Sequence, residues 1–166
     1  MIQLSYYSPD YKTACERFRS AATEANALQE RHSLIPERYC EHDLSIDVAF
    51  IGNECPEWTL VVTSGLHGVE GFFGSAIQLA LLAQFGSGRV LPRNGRMVLV
   101  HAINPFGFHF LRRVNEDNID LNRNFLLSGQ DYSGLPAGYD RLNDFLNPQS
   151  PPPLMEPLWL KVLALL

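Results

Sequence analysis

Val61-Val62-Thr63-Ser64-Gly65-Leu66-His67-Gly68-Val69-Glu70-Gly71 joins a run of apolar, β-favouring residues to the start of a helical pattern. The apolar run begins at Trp58, and valine-rich runs of this kind are typical of strands in parallel sheets. An apolar helical pattern covers Phe72 to Phe85, and a second valine-rich run covers Met97 to Ile103. A strand, a helix and a strand in this order predict a right-handed βαβ unit with two parallel strands.

The flanking segments extend this unit into a larger α/β domain. Ser8-Pro9-Asp10 is typical of a helix start, with Ser8 as the capping residue, and apolar residues recur at helical spacing from Tyr11 to Leu28. Leu44 to Ile51 alternates apolar and polar residues, which predicts a strand with one face partly exposed to water. We therefore predict a three-layer α/β/α fold: a mixed, partly parallel sheet with helices on both faces and the two valine-rich strands at its centre.

The C-terminal part has weaker patterns. Tyr139 to Leu146 predicts a short helix, and a proline-rich break follows at Asn147 to Pro153. The last ten residues, Pro157 to Leu166, have an apolar helical pattern without a C-cap. We therefore expect one domain over residues 1–166 that is truncated at its C-terminus, or a C-terminal segment that is buried in a homo-oligomer.

Composition and charge disfavour several classes of partner. The net charge of −5 and the pI near 5.5 disfavour binding to nucleic acid or to an anionic membrane. The N-terminus has no basic, apolar leader, and no run approaches the roughly 18–20 apolar residues of a transmembrane helix. Cys15, Cys40 and Cys55 have neither metal nor redox spacing, which predicts reduced thiols. We expect a cytoplasmic protein.

The loop after the first valine-rich run carries two potential metal ligands. Proteins with parallel sheets bind their ligands beyond the carboxyl ends of the strands, and this loop is expected to lie there. His67 offers an imidazole nitrogen and Glu70 a carboxylate oxygen, and both suit zinc. The plainer interpretation is a histidine near a helix start, with a first-turn glutamate that favours the helix dipole. A second motif in the sequence favours the interpretation of His67 and Glu70 as metal ligands.

That second motif follows the other valine-rich run. A turn, Asn104-Pro105-x-Gly107, precedes Arg112-Arg113 and then Asp120-Leu121-Asn122-Arg123-Asn124-Phe125. The guanidinium group of an arginine binds a carboxylate through two parallel hydrogen bonds, and the side-chain amide of a neighbouring asparagine can donate a further one. A separate arginine can stabilise an oxyanion as a carbonyl is attacked. The alternative is a loop of surface salt bridges with local aspartates such as Asp117.

In order and spacing, these motifs resemble the first half of the zinc carboxypeptidase family, near its succinylglutamate desuccinylase and aspartoacylase branch. The motifs are His67-x-x-Glu70, Asn104-Pro105-x-Gly107, Arg113-x-Asn115 and Asp120-Leu121-Asn122-Arg123-Asn124-Phe125. The longer strings His67-Gly68-Val69-Glu70-Gly71-Phe72 and Arg112 to Asn118 are similar to a bacterial subgroup of that family without a settled substrate. The resemblance covers about residues 40 to 126.

The resemblance implies a role for each of six residues. His67 and Glu70 would be two zinc ligands, and Asp120 would be the carboxylate that orients His67. Arg113 would polarise the scissile carbonyl and hold the oxyanion. The carboxylate of the substrate would be bound by Asn122 and Arg123. In this family a zinc-bound water attacks the polarised amide.

Two residues of the family's site have no counterpart in this sequence. The family takes its third zinc ligand, a histidine, and its general-base glutamate from farther downstream. His101 and His109 could each be a substitute ligand or a packed histidine, and Glu116 could be a substitute base. We therefore keep two hypotheses. The first is a zinc-dependent hydrolase that acts on a small peptide or an N-acyl amino acid. The second is a non-catalytic binding or assembly module that retains the family's first half.

Overall fold

The computed structural model describes residues 4–34, 42–130 and 138–146. Its elements are, in chain order, helix α1 (Tyr11–Glu24), strands β1 (Leu28–Ser33), β2 (Ser45–Gly52) and β3 (Trp58–Thr63), helix α2 (Gly71–Gly86), strand β4 (Gly95–His101), and helices α3 (Pro105–Phe110) and α4 (Tyr139–Leu146). The chain divides into two compact units, Met1–Phe125 and Leu126–Leu166. The site residues of the sequence analysis all lie in the first unit, and a single domain over 1–166 stays a prediction.

The first unit is built on one mixed sheet with the strand order β1-β2-β4-β3. β3 and β4 are parallel, with Val61 beside Val98, and α2 connects them. β2 is antiparallel to both of its neighbours, β1 and β4. The predicted α/β fold with a mixed, partly parallel sheet is confirmed, and the parallel pair places the carboxyl ends of β3 and β4 at the same edge.

The two long helices pack on one face of this sheet. Ala49 of β2 and Leu99 of β4 form a buried core with Phe18 of α1 and Leu82 of α2. On the opposite face Val61 is 54% exposed, although the sequence predicted helices there as well. Among the described residues β3 is an edge strand of the sheet, and its apolar side chains are largely open to solvent.

Strand β2 faces the other way from the predicted orientation. Ser45 and Asp47, which were expected to face water, are buried against α1. The Ser45 amide donates to Tyr11 Oη (2.8 Å), and Tyr11 in turn donates to the Ser45 carbonyl oxygen (3.0 Å). Arg19 Nη1 donates to Asp47 Oδ2 at 2.9 Å. Asp47 can therefore point inward because α1 supplies a cation for it, and the Ser45 hydroxyl donates to Asp47 Oδ1 at 3.3 Å.

Helix α1 is shorter than predicted at both ends. Its N-cap is Asp10 rather than Ser8, and Asp10 Oδ1 accepts from the Thr13 amide at 2.8 Å. The helix ends at Glu24, and Asn26 then adopts a left-handed conformation with φ 51°. Leu28, which was assigned to the helix, begins β1 instead. β1 is exposed along its whole length and is defined by its pairing with β2, so apolar spacing could not reveal it.

The sequence also predicted a C-terminal helix, the state of the cysteines and the absence of a transmembrane helix. Helix α4 agrees with the predicted helix at Tyr139 to Leu146. Cys15 is buried and Cys55 exposed, and both are free thiols. Cys40 and the apolar C-terminal segment, including the oligomer contact predicted for it, lie outside the described residues. No helix within the described ranges is both long enough and apolar enough to cross a membrane.

Candidate metal and carboxylate site

The loop between β3 and α2 lies where the two parallel strands end. Gly65 has φ 69°, a left-handed conformation that suits glycine and turns the chain away from β3. The carbonyl oxygen of Ser64 accepts from the Ile103 amide, and that of Gly65 from the Asn104 amide, both at 2.9 Å. The segment after β4 therefore holds the start of this loop and fixes the backbone that leads to His67.

His67 lies between two carboxylates. Its Nε2 is 3.0 Å from Asp120 Oδ1, and its Nδ1 is 3.3 Å from Glu70 Oε2. The His67 and Asp120 side chains are 14% and 17% exposed, whereas Glu70 is 80% exposed. Asp120 therefore holds one nitrogen on the protein side, and the other nitrogen faces Glu70 on the open side.

Asp120 also connects His67 to Arg113. Its Oδ2 accepts from Arg113 Nε at 2.7 Å, and its Oδ1 accepts from the Asn122 amide at 2.9 Å. The hydrogen bond from Arg113, followed by the one from His67, lowers the pKa of Asp120 to about 2. An ionised carboxylate can only accept hydrogen bonds, so a neutral His67 carries its proton on Nε2. Its lone pair is then on Nδ1, toward Glu70.

The distance between Nδ1 and Glu70 Oε2 fits a shared zinc ion. Nitrogen and oxygen ligands lie about 2.0–2.1 Å from zinc, and two of them at a tetrahedral angle are roughly 3.3–3.4 Å apart. The observed distance is 3.3 Å. An imidazole and a carboxylate are also ligand types that zinc accepts. The distance between these two atoms is therefore compatible with a shared zinc ion, and it is also that of a direct contact between an imidazole and a carboxylate.

A separate group of residues could also hold a metal ion. Within the described ranges, one group of three or more potential ligands has its ligand atoms within 4.8 Å of one another, namely Cys15, Asp47 and His101. All three are buried, and each already has a protein partner. Cys15 Sγ is 3.9 Å from His101 Nδ1, His101 Nε2 is 3.0 Å from Ser75 Oγ, and Asp47 binds Arg19. This group does not add a third ligand to the His67 loop.

The two histidines considered as substitute ligands are packed against other side chains. His101 is fully buried at the end of β4 and stacks on Phe18, with ring centroids 4.7 Å apart. Burial lowers its pKa to about 3. The ring of His109 contacts those of Tyr11 and His42, and partial burial lowers its pKa as well. In the described part of the chain, the contacts of His67 are with Asp120 and Glu70 and not with either of these histidines.

The residues that were predicted to bind a carboxylate, Asn122 and Arg123, lie next to Asp120. Asn122 and Arg123 form a short 3-10 turn directly after Asp120, and both are exposed. A cleft of about 240 Å³ is lined by residues 67–70 and 111–113, and neither Asn122 nor Arg123 is among its lining residues. The structure therefore joins His67, Glu70, Asp120 and Arg113 by direct contacts, and it connects Asn122 to them only through its amide.

Asn104, whose role the sequence did not reveal, is a buried residue at the start of α3. The side chain is 1% exposed, and its Nδ2 donates to the Leu66 carbonyl oxygen at 3.2 Å. Its Oδ1 accepts from the Gly107 amide at 2.8 Å, which caps α3. The available signal was an asparagine before proline, a pattern typical of a helix start that follows the end of a strand.

The comparisons with known proteins give one match. A family model described as a protein of unknown function (DUF2817) matches residues 7–159. No curated protein and no solved structure matches the chain. The matched range includes the whole sheet, the His67 loop and the segment that carries Arg113 and Asp120.

Proposed function

The chain belongs to the DUF2817 family of proteins of unknown function, and we propose that it holds the metal-binding part of a zinc-dependent amide hydrolase. The proposed substrate is a small peptide or an N-acyl amino acid, as in the zinc carboxypeptidases that its motifs resemble. The observation that carries the proposal is the orientation of His67. Asp120 holds Nε2, so that Nδ1 faces Glu70 at a distance suited to one zinc ion.

The other residues of the site have roles that the family resemblance implies. Arg113 is tied to Asp120 through Nε, which leaves its terminal nitrogens to polarise a carbonyl at the cleft. Asn122 and Arg123 would bind the carboxylate of the substrate. A bound zinc ion would supply Lewis acidity and lower the pKa of a water molecule. The proposal assigns the third ligand and the general base to residues outside those described.

Zinc binding by the purified chain tests the proposal directly. We expect the metal-free protein to bind one zinc ion, more weakly than a site with three protein ligands would, measured by elemental analysis and by competition with a chromophoric chelator. His67→Ala should weaken the affinity by at least about 10-fold because it removes a ligand that its surroundings already orient. Cys15→Ser, the matched control, alters the buried group and should leave the affinity unchanged.

Two outcomes would contradict this assignment. Zinc that is lost in Cys15→Ser and retained in His67→Ala would place the metal in the buried group. If the unmodified chain binds no zinc, the alternative of a binding or assembly module is favoured. The specific observation behind that alternative is the apolar surface of β3, where Trp58, Leu60 and Val61 are all exposed.

Hydrolytic activity provides a second test. We expect hydrolysis of short peptides or N-acyl amino acids that a chelator abolishes and added zinc restores. Arg113→Ala should lower kcat/KM by about 100-fold or more because it removes an oxyanion donor. Arg89→Ala, an exposed arginine near the end of α2, is the matched control. Activity that a chelator does not affect would rule the proposal out.

A further inference from the structure

Asn104 uses every polar group it has, and it does so beneath the His67 loop. Its amide donates to the Gly65 carbonyl oxygen (2.9 Å), and its side-chain Nδ2 donates to that of Leu66 (3.2 Å). Its side-chain Oδ1 and its carbonyl oxygen accept from the Gly107 and Phe108 amides, at 2.8 and 2.9 Å. One buried residue thus joins the first turn of α3 to the backbone immediately before His67.

The residue after His67 is held by the same segment. The Gly68 amide donates to the Arg112 carbonyl oxygen at 2.9 Å, and the Arg112 amide donates to the Gly107 carbonyl oxygen at 2.8 Å. A Cβ on Gly68 would overlap the Gly107 carbonyl oxygen and lie 2.7 Å from the Arg112 nitrogen. The two backbones therefore touch without side chains between them.

These contacts form one continuous chain of hydrogen bonds around His67. It runs from Leu66 through the Asn104 side chain to Gly107, then through the main chain of Arg112, and returns to Gly68. Both neighbours of His67 in sequence are thereby fixed to the segment 104–112. The same segment leads directly into Arg113, whose guanidinium holds Asp120.

We propose that Asn104 is the positioning residue that aligns His67 with Glu70 and Asp120. This inference rests on the proposed metal site, because it explains how that site is held ready before a metal binds. Ligand atoms must lie within about 0.2 Å of their ideal distances, so a small movement of the loop backbone weakens binding. Asn104 prevents that movement on the strand side of the loop, and Gly68 prevents it on the helix side.

Asn104→Asp separates this role from general packing. The aspartate keeps an oxygen for the Gly107 amide and loses the donor to Leu66, with almost no change in volume. We expect zinc affinity to fall by about 10- to 100-fold, as for other residues that orient metal ligands. Asn104→Ser, which can still cap α3 but cannot reach Leu66, is the second variant if the aspartate prevents folding.

Asn53→Asp is the matched control. Asn53 also donates through Nδ2 to a carbonyl oxygen, that of Arg93 (2.8 Å), and also accepts a backbone amide, that of Cys55 (2.9 Å). It makes the same pair of contacts in a loop that has no part in the His67 site. We expect its zinc affinity to equal that of the unmodified chain.

The tautomer of His67 in the metal-free protein is a second readout, measured by long-range ¹H–¹⁵N NMR. We expect the proton on Nε2 in the unmodified chain, and a mixture of the two tautomers in Asn104→Asp, because His67 moves relative to Asp120. If zinc binds equally well to Asn104→Asp and to the unmodified chain, the inference is overturned while the proposed function stands. If no protein binds zinc, the proposed function fails. An unchanged Nε2–H tautomer in the variant then overturns the inference as well.

Discussion

Gly68→Ala should lower the free energy of unfolding by about 3 kcal/mol or more. The added methyl group would meet the carbonyl oxygen of Gly107 and both the amide nitrogen and the carbonyl oxygen of Arg112. All three are main-chain atoms in hydrogen bonds, so none can rotate away as the end of a flexible side chain would. The loop must move as a whole, and the hydrogen bond from Gly68 to Arg112 must lengthen or break.

Urea unfolding followed by circular dichroism measures this effect. Gly88→Ala is the control: Gly88 has φ 99°, and a Cβ at that position meets no atom within 4 Å. Gly88→Ala should lower the free energy of unfolding by about 1 kcal/mol, because an alanine at this position is strained in the left-handed conformation. Equal midpoints for Gly68→Ala and the unmodified chain would show that the two backbones are not in contact. A variant that fails to fold agrees with the prediction, provided that Gly88→Ala folds.

The second large effect is a loss of stability in acid caused by His101. Its pKa is lowered from 6.5 in a free side chain to about 3, chiefly because burial disfavours the charged imidazolium. Between these two pH values the unfolded chain binds a proton that the folded chain does not. This contribution to stability is therefore present above pH 6.5 and is lost as the pH falls toward 3, by about 2 kcal/mol between pH 6.5 and pH 4.5.

The groups that surround His101 set the context for this dependence. Arg19 of α1 reinforces the lowered pKa by its positive charge. Burial raises the pKa of Cys15 to about 12, so the thiol stays neutral over the whole range. Burial also raises the pKa of Asp47, which opposes the His101 effect near pH 4 because folded Asp47 binds a proton more readily than unfolded Asp47.

His101→Gln isolates the contribution of the histidine. Its amide can still bond Ser75, and it has no charge to acquire between pH 7 and pH 4. We expect a flatter plot of unfolding free energy against pH for this variant, measured by urea titrations across that range. His32→Gln is the control because His32 is 62% exposed on β1, and it should keep the slope of the unmodified chain. A slope that survives in His101→Gln would contradict the prediction.

The sequence was informative about the fold wherever one apolar pattern dominated. The run from Trp58 to Thr63 coincides with β3, and the helical pattern from Phe72 to Phe85 lies within α2. Strand β1 was missed because its sequence is polar and exposed, so that only its pairing with β2 defines it. The orientation of β2 was mispredicted because Asp47 pairs with Arg19 of α1 and also accepts from the Ser45 hydroxyl. A contact between distant segments, such as that of Asp47 with Arg19, leaves no mark on local hydropathy.

The same distinction applies to the site. Spacing pointed to His67 and Glu70, and the resemblance added Asp120, which contacts His67 across 53 residues of sequence. The role proposed for Asn104 could not be seen in advance because it depends on a carbonyl oxygen, a group that every residue has. The main-chain contacts of Gly68 and Arg112 could not be predicted from a sequence motif for the same reason.

The main-chain role of Arg112 has a practical consequence for protein engineering. Its hydrogen bonds to Gly68 and Gly107 use only its amide and carbonyl groups, and Arg112 is an exposed residue that lines the cleft. Any residue other than proline can make those bonds. Position 112 is therefore suited to a saturation library, in which the charge and size of the cleft wall vary while the scaffold beneath it keeps its shape.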